Sequence, residues 1–224
     1  MNGSVIGHLV LKDWRINRLL VSVALAVGIV ALVLTQSGGE TPRLLGAVWF
    51  FVVMCVLSSM LPAFVILKER KNQTLAFIMS LPVSSVQYSI AKVVSNWAMF
   101  LVPWVTLIIS ALILIETRHI APRGVIPMLL ILAMLPVIGF CLISATALVA
   151  ESEGWLIATT VLCNSSYWFV WYLLARIPSL TANSTGPVAI WNPAARTVLW
   201  CEVGLIVLIL ALTLFLQSRK RDFI

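Results

Sequence analysis

Residues 44–67 read LLGAVWFFVVMCVLSSMLPAFVIL, residues 68–84 read KERKNQTLAFIMSLPVS, and the change at Lys68 decides the fold. Leu44 to Leu67 is apolar enough and long enough to cross a bilayer as a helix, which takes about 20 such residues. Lys68-Glu69-Arg70-Lys71 then sets four charges in a row, which belong outside the hydrocarbon. A short amphipathic helix follows over 72–81, bracketed by Thr74 and Pro82. Proline cannot continue the helix ahead of it, so this helix stops near Leu81. Ser84 and Gln87 have the spacing of a capping box and begin the next helix. The spacing therefore predicts a helix–break–helix elbow at a membrane surface.

Composition agrees. The chain is 61% hydrophobic and 10% charged, with a mean hydropathy of +1.06. Soluble domains sit near ~45–50% apolar and ~25% charged, so this is an all-α polytopic membrane protein. The net charge of +7 would point to nucleic acid in a soluble chain. Here the cations follow the membrane, and the expected partners are lipids, with no nucleic acid. Cys55, Cys141, Cys163 and Cys201 lie in or beside apolar runs without a C-x-x-C pair, and read as small packing residues.

Working outward, an N-terminal amphipathic helix over 5–18 sets His8, Lys12 and Arg15 on one face and Ile6, Leu9, Val10 and Trp14 on the other. It is expected to lie along the inner membrane surface. A signal peptide competes, because charges precede an apolar run, but Gln36-Ser37-Gly38-Gly39 is not a clear small-x-small cleavage site. Six spans are expected at 19–35, 44–67, 91–115, 125–150, 155–174 and 197–217. Lys12, Arg15, Arg18, Lys68, Arg70, Lys71, Lys92, Arg219, Lys220 and Arg221 then share one side. Arg43, Arg118, Arg123, Arg176 and Arg196 share the other, so both termini and the elbow are expected in the cytoplasm. Trp14, Trp49, Trp97, Trp155, Trp191 and Trp200 fall near span ends, as interface anchors do. Between the last two spans, residues 176–196 alternate apolar and polar pieces, and Asn192-Pro193 reads as a helix start. The segment is either an ordinary external loop or a re-entrant dip.

The elbow resembles the cytoplasmic coupling loop of the ABC-2-type transporter permease family. The residues that carry the likeness are Glu69-Arg70-Lys71, Thr74-Leu75, Phe77 and Leu81-Pro82-Val83-Ser84; Gln73 stands where that family usually has glycine, and Ala76 where it has an acid. The resemblance implies a permease subunit of an ATP-binding-cassette exporter in a bacterial-type cytoplasmic membrane. Its short helix would dock in a separate ATPase through Glu69, Arg70, Thr74, Leu75, Phe77, Ile78, Leu81 and Pro82. Glu151 and Glu153, acids suited to a helix start, would make a second contact. Six spans would be half a transport unit, pairing with a second permease copy or paralogue and two ATPase subunits. ATP and Mg would be bound by those partners.

Within the chain itself no G-x-x-x-x-G-K-[ST], H-E-x-x-H or G-x-S-x-G occurs, and the two histidines, His8 and His119, sit at the membrane edge. The chain is therefore not expected to be catalytic or to hold a cofactor or metal. Ionisable groups inside a span are functional candidates. Glu202 is the foremost, against snorkelling to the outer interface or pairing with Arg196. Asn164, Ser165 and Ser166 either line a path or bond between helices, and polar side chains commonly do the latter. Asn96 stands in the same position, while Glu116 is expected in solvent at the outer end of the third span. The alternative to a permease is a non-transporting membrane scaffold that uses the elbow to recruit a cytoplasmic protein.

Overall fold

The computed structural model describes residues 3–37, 39–63, 85–150 and 152–219. The expected coupling helix at 72–81, with Glu69, Arg70, Thr74, Leu75, Phe77, Ile78, Leu81 and Pro82, lies outside the described residues, as does Glu151. The helices are α1 (Gly3–Leu34), α2 (Glu40–Pro62), α3 (Ser85–Arg118), α4 (Ile126–Val149), α5 (Glu153–Ala175), the short α6 (Pro178–Thr181) and α7 (Pro193–Arg219). A 3-10 turn, Arg123–Val125, leads into α4, and no strand occurs among the described residues. Five segments are long and apolar enough to cross a membrane: Val10–Leu34, Glu40–Pro62, Val93–Arg118, Arg123–Val149 and Pro193–Leu216.

The expected fifth span, 155–174, is a helix of spanning length, but it is not one of those five. Thr159, Thr160, Asn164, Ser165 and Ser166, together with its tyrosines and tryptophans, lower its apolarity. Nor is there a break between an interfacial helix at 5–18 and a first span at 19–35. The chain runs through as α1, without proline to stop it. The reason is burial: Asp13 is 4% exposed, and its Oδ2 accepts a hydrogen bond from Ser95 Oγ of α3 at 3.0 Å. Asp13 is packed into the bundle there, while Lys12 and Arg15 stay exposed.

α4 is the organising helix. An α-helix apolar on all sides seeks the interior, and 61% of its spanning window is buried, against 22% for α1 and for α7. It packs against α2, α5 and α7, while α1 packs against α2 and α3. Phe140 of α4 stacks on Phe100 of α3, centroids 4.3 Å apart, and takes the edge of Trp97 at 5.4 Å. Trp97 is thus partly buried against the core, whereas Trp49, Trp155 and Trp200 are exposed. Small residues let the helices approach: a Cβ on Gly46 of α2 would stand 2.6 Å from the carbonyl oxygen of Ala31 in α1. Large apolar side chains face outward along α5 and α7, among them Trp168, Phe169, Val207 and Leu208, a surface suited to hydrocarbon rather than water.

Residues 176–196 fold back over one end of the bundle. Leu180 of α6 packs with Ile131, Leu174 and Ala195. Gly124 N donates to Gly186 O at 3.0 Å, and no other residue fits there, because a Cβ would run into the Asn183 carbonyl. As its sequence indicates, α7 starts at Pro193, and the Asn192 carbonyl accepts the first helical bond, from Arg196 N.

Candidate functional site

The helix α5 is set by its cap and by three polar contacts. Ser152 accepts from Trp155 N at 3.4 Å, and Glu153 lies exposed in the first turn, where an acid complements the helix dipole. At the middle of α5, Asn164 Nδ2 donates to Ser59 Oγ of α2 at 2.9 Å and to the Thr160 carbonyl of its own helix at 2.8 Å. The Tyr167 hydroxyl lies 3.4 Å from Ser58 Oγ, also of α2. Room for Tyr167 exists only because position 139 of α4 is glycine: a Cβ there would fall on the hydroxyl and stand 2.7 Å from Cζ. Phe51 holds the ring from the side, edge-on at 6.3 Å.

α7 also packs on α4, and the mutual contact of α5 and α7 is slight. The gap between them is a cleft of about 570 Å³. Leu135, Ile138 and Leu142 of α4 form its floor; Leu162, Cys163 and Val170 line the α5 wall; Val198, Cys201 and Leu205 line the α7 wall. Into this apolar space come Thr159, Ser166 and Tyr167 from α5, and Thr197 and Glu202 from α7. Among the described residues no lysine or arginine lines it.

Glu202 is 7% exposed, and its Oε2 has no hydrogen-bond partner among the described residues. It makes no ion pair with Arg196 among the described residues, which excludes one of the two structural roles open to it. Its depth argues against the other. Because α7 begins at Pro193, not near residue 197, Glu202 is nine residues along the helix (202 minus 193). At about 1.5 Å per residue that is roughly 14 Å from the helix start, within a few ångströms of the middle of the Pro193–Leu216 span.

Of the four side chains proposed for a path, Ser166 and Glu202 line the cleft. Ser166 also bonds back to the Leu162 carbonyl at 2.6 Å. Asn164 joins α5 to α2 instead, and Ser165 is exposed outside the cleft lining. Thr159, Tyr167 and Thr197 were not singled out from the sequence, although Thr159, Cys163, Ser166 and Val170 recur at the three- and four-residue spacing of one helix face. Asn96 is buried between α3 and α4, donating to Ser144 Oγ at 3.2 Å. Its Oδ1 has no partner among the described residues, beside a closed space of about 20 Å³ shared with Ser144 and Thr213, room for one water. Glu116 is at the surface as expected, bridged to Arg123 at 2.5 Å with both side chains near half exposed.

Among the described residues no three His, Cys, Asp or Glu side chains converge. No second carboxylate among the described residues lines the cleft beside Glu202. What the arrangement offers is a buried carboxyl group on the α7 wall of an apolar cleft, with hydroxyls on both walls. Scans of this chain against protein-family models, curated proteins and solved structures find no match.

Proposed function

We propose that the chain is the permease subunit of an ATP-binding-cassette exporter, forming a translocation path and driven by separate ATPase subunits. The observation that carries transport is Glu202. An unpaired carboxyl group near the middle of a membrane-spanning helix costs about 2.5–3.5 kcal/mol or more, and such groups mark substrate or ion pathways by default. It faces a cleft whose volume suits a small-molecule site, within the ~300–1,000 Å³ usual for one. A scaffold that only recruits a cytoplasmic protein has no use for that carboxylate.

The elbow at residues 68–84 supports the power source, since its charged run, amphipathic helix and proline stop suit docking to a cytoplasmic ATPase. In this reading α5 counts as a sixth span, both termini are cytoplasmic, and a second permease copy or paralogue completes the path. ATPase closure would push on residues 74–80 and shift the helices as rigid bodies. Pro103 and Pro136, inside α3 and α4, each remove a helix hydrogen bond where bending would occur.

The test is purification of the tagged protein from its own membrane in mild detergent, with co-purifying proteins identified and ATP hydrolysis assayed. A stoichiometric ATPase is expected, with Glu69→Ala or Phe77→Asp uncoupling hydrolysis from transport while the permease stays in the membrane. A preparation that retains other partners but no ATPase would overturn the permease in favour of the scaffold.

A further inference from the structure

We infer that the cleft between α5 and α7 binds a monovalent amphipathic amine, its ammonium on Glu202 and its apolar body along the α4 floor. As an assignment of cargo this rests on the permease reading; as a binding site it stands on the cleft alone.

Three features select the ligand. The first is charge. A buried carboxylate stays charged at low cost only beside a cation. The described residues place no lysine or arginine against the cleft, so a ligand that brings a cation would meet a carboxylate that none of them neutralises. An ammonium brings donors as well as charge, matching an acceptor-only carboxylate, with Thr159, Ser166 and Thr197 hydroxyls nearby for the rest. The second is shape: about 570 Å³ of mainly apolar lining accommodates a hydrophobic body, not a bare inorganic ion.

The third is depth, which separates a free amine from a lipid headgroup. Phosphatidylethanolamine also carries an ammonium, but its headgroup lies at the interface and brings a phosphate. Glu202 is roughly 14 Å along α7 from Pro193, and among the described residues no basic side chain lines the cleft to meet a phosphate. The geometry favours an amine that enters the hydrocarbon.

The experiment uses the full chain in nanodiscs of phosphatidylcholine and follows the fluorescence polarisation of rhodamine 6G, an amphipathic monocation. Dodecylamine should displace the dye, and dodecanol and dodecanoate should not. Glu202→Gln should weaken dye binding about ten- to hundredfold, the scale of one charge-assisted hydrogen bond. Leu205→Trp, which fills the cleft and keeps the carboxylate, should weaken it too, so that a folding defect in one variant does not decide the matter. Equal affinity in Glu202→Gln, or displacement by dodecanol or dodecanoate as readily as by dodecylamine, would overturn the site. Displacement by added phosphatidylethanolamine would overturn the free amine in favour of a lipid. Dye binding without an ATPase partner would leave the site standing and remove the permease, whereas an ATPase partner without dye binding would do the reverse.

Discussion

Gly139→Ala tests whether the floor of the cleft is built as described. The added methyl falls on the Tyr167 hydroxyl and stands 2.7 Å from Cζ and 3.2 Å from Cε1. Tyr167 cannot easily yield, because the ring is 5% exposed and Phe51 packs edge-on against it. Either α5 backs away from α4 or the ring leaves its rotamer. Overpacking of this kind costs about 1–3 kcal/mol, and contact with a stiff ring places this substitution toward the upper end. Tyr167→Phe alone should cost little. The hydroxyl is 3.4 Å from Ser58 Oγ, a long bond, and interhelical bonds in membranes average about 0.6 kcal/mol.

In the double variant the worst overlap disappears, but the Cζ contact at 2.7 Å remains. Rescue should therefore be partial. The double variant is expected to be more stable than Gly139→Ala by about 1 kcal/mol, a coupling within the usual range for touching residues. Unfolding of the four proteins in a common detergent, followed by circular dichroism, measures the cycle. Additive costs, within about 0.3–0.5 kcal/mol, would refute the contact between Gly139 and Tyr167.

Gly46→Ala should destabilise by about 2 kcal/mol or more. Its Cβ meets backbone at the Ala31 carbonyl and the Thr35 amide, so adding Thr35→Ala should not restore stability in the same unfolding assay. Asn164→Leu should lower stability by about 0.6–1.7 kcal/mol through loss of the bond to Ser59. It should leave rhodamine 6G affinity unchanged, since Asn164 does not line the cleft. Arg123→Ala removes the surface bridge to Glu116 and should shift stability by less than about 1 kcal/mol.

The helices were legible because apolar length is a one-dimensional property. Residues 125–150 read as a span and fold as Ile126–Val149. What the sequence could not display is any polar residue whose partner lies far along the chain. Asp13 shows no local sign of a partner, yet Ser95, 82 positions away, donates to it in a buried contact between α1 and α3. Trp97 is placed by its position near a span end, and the sequence does not show that its ring meets Phe140, 43 positions away, edge to face. The start of α7 shows two local signals in conflict. Asn192-Pro193 marks a helix start, while Arg196 suggests that the membrane begins only at residue 197. The cap sets where the helix begins, so Glu202 stands nine residues into α7 rather than five beyond Thr197.

Asn164-Ser165-Ser166 looks in the sequence like one polar cluster with one task, yet a helix turning about 100° per residue cannot point three successive side chains the same way. Asn164 reaches α2, Ser165 faces out, and Ser166 enters the cleft together with Thr159, two turns earlier. The division is what makes a cleft feasible. With Asn164 and Tyr167 tied to Ser59 and Ser58, α5 is anchored to α2 on one side. Its opposite wall stays free of α7, which is held separately on α4. Were Asn164 turned toward Glu202, its amide would satisfy the carboxylate and join α5 to α7, closing the space. The polar residues of α5 therefore keep apart the two walls between which Glu202 is left to meet a ligand.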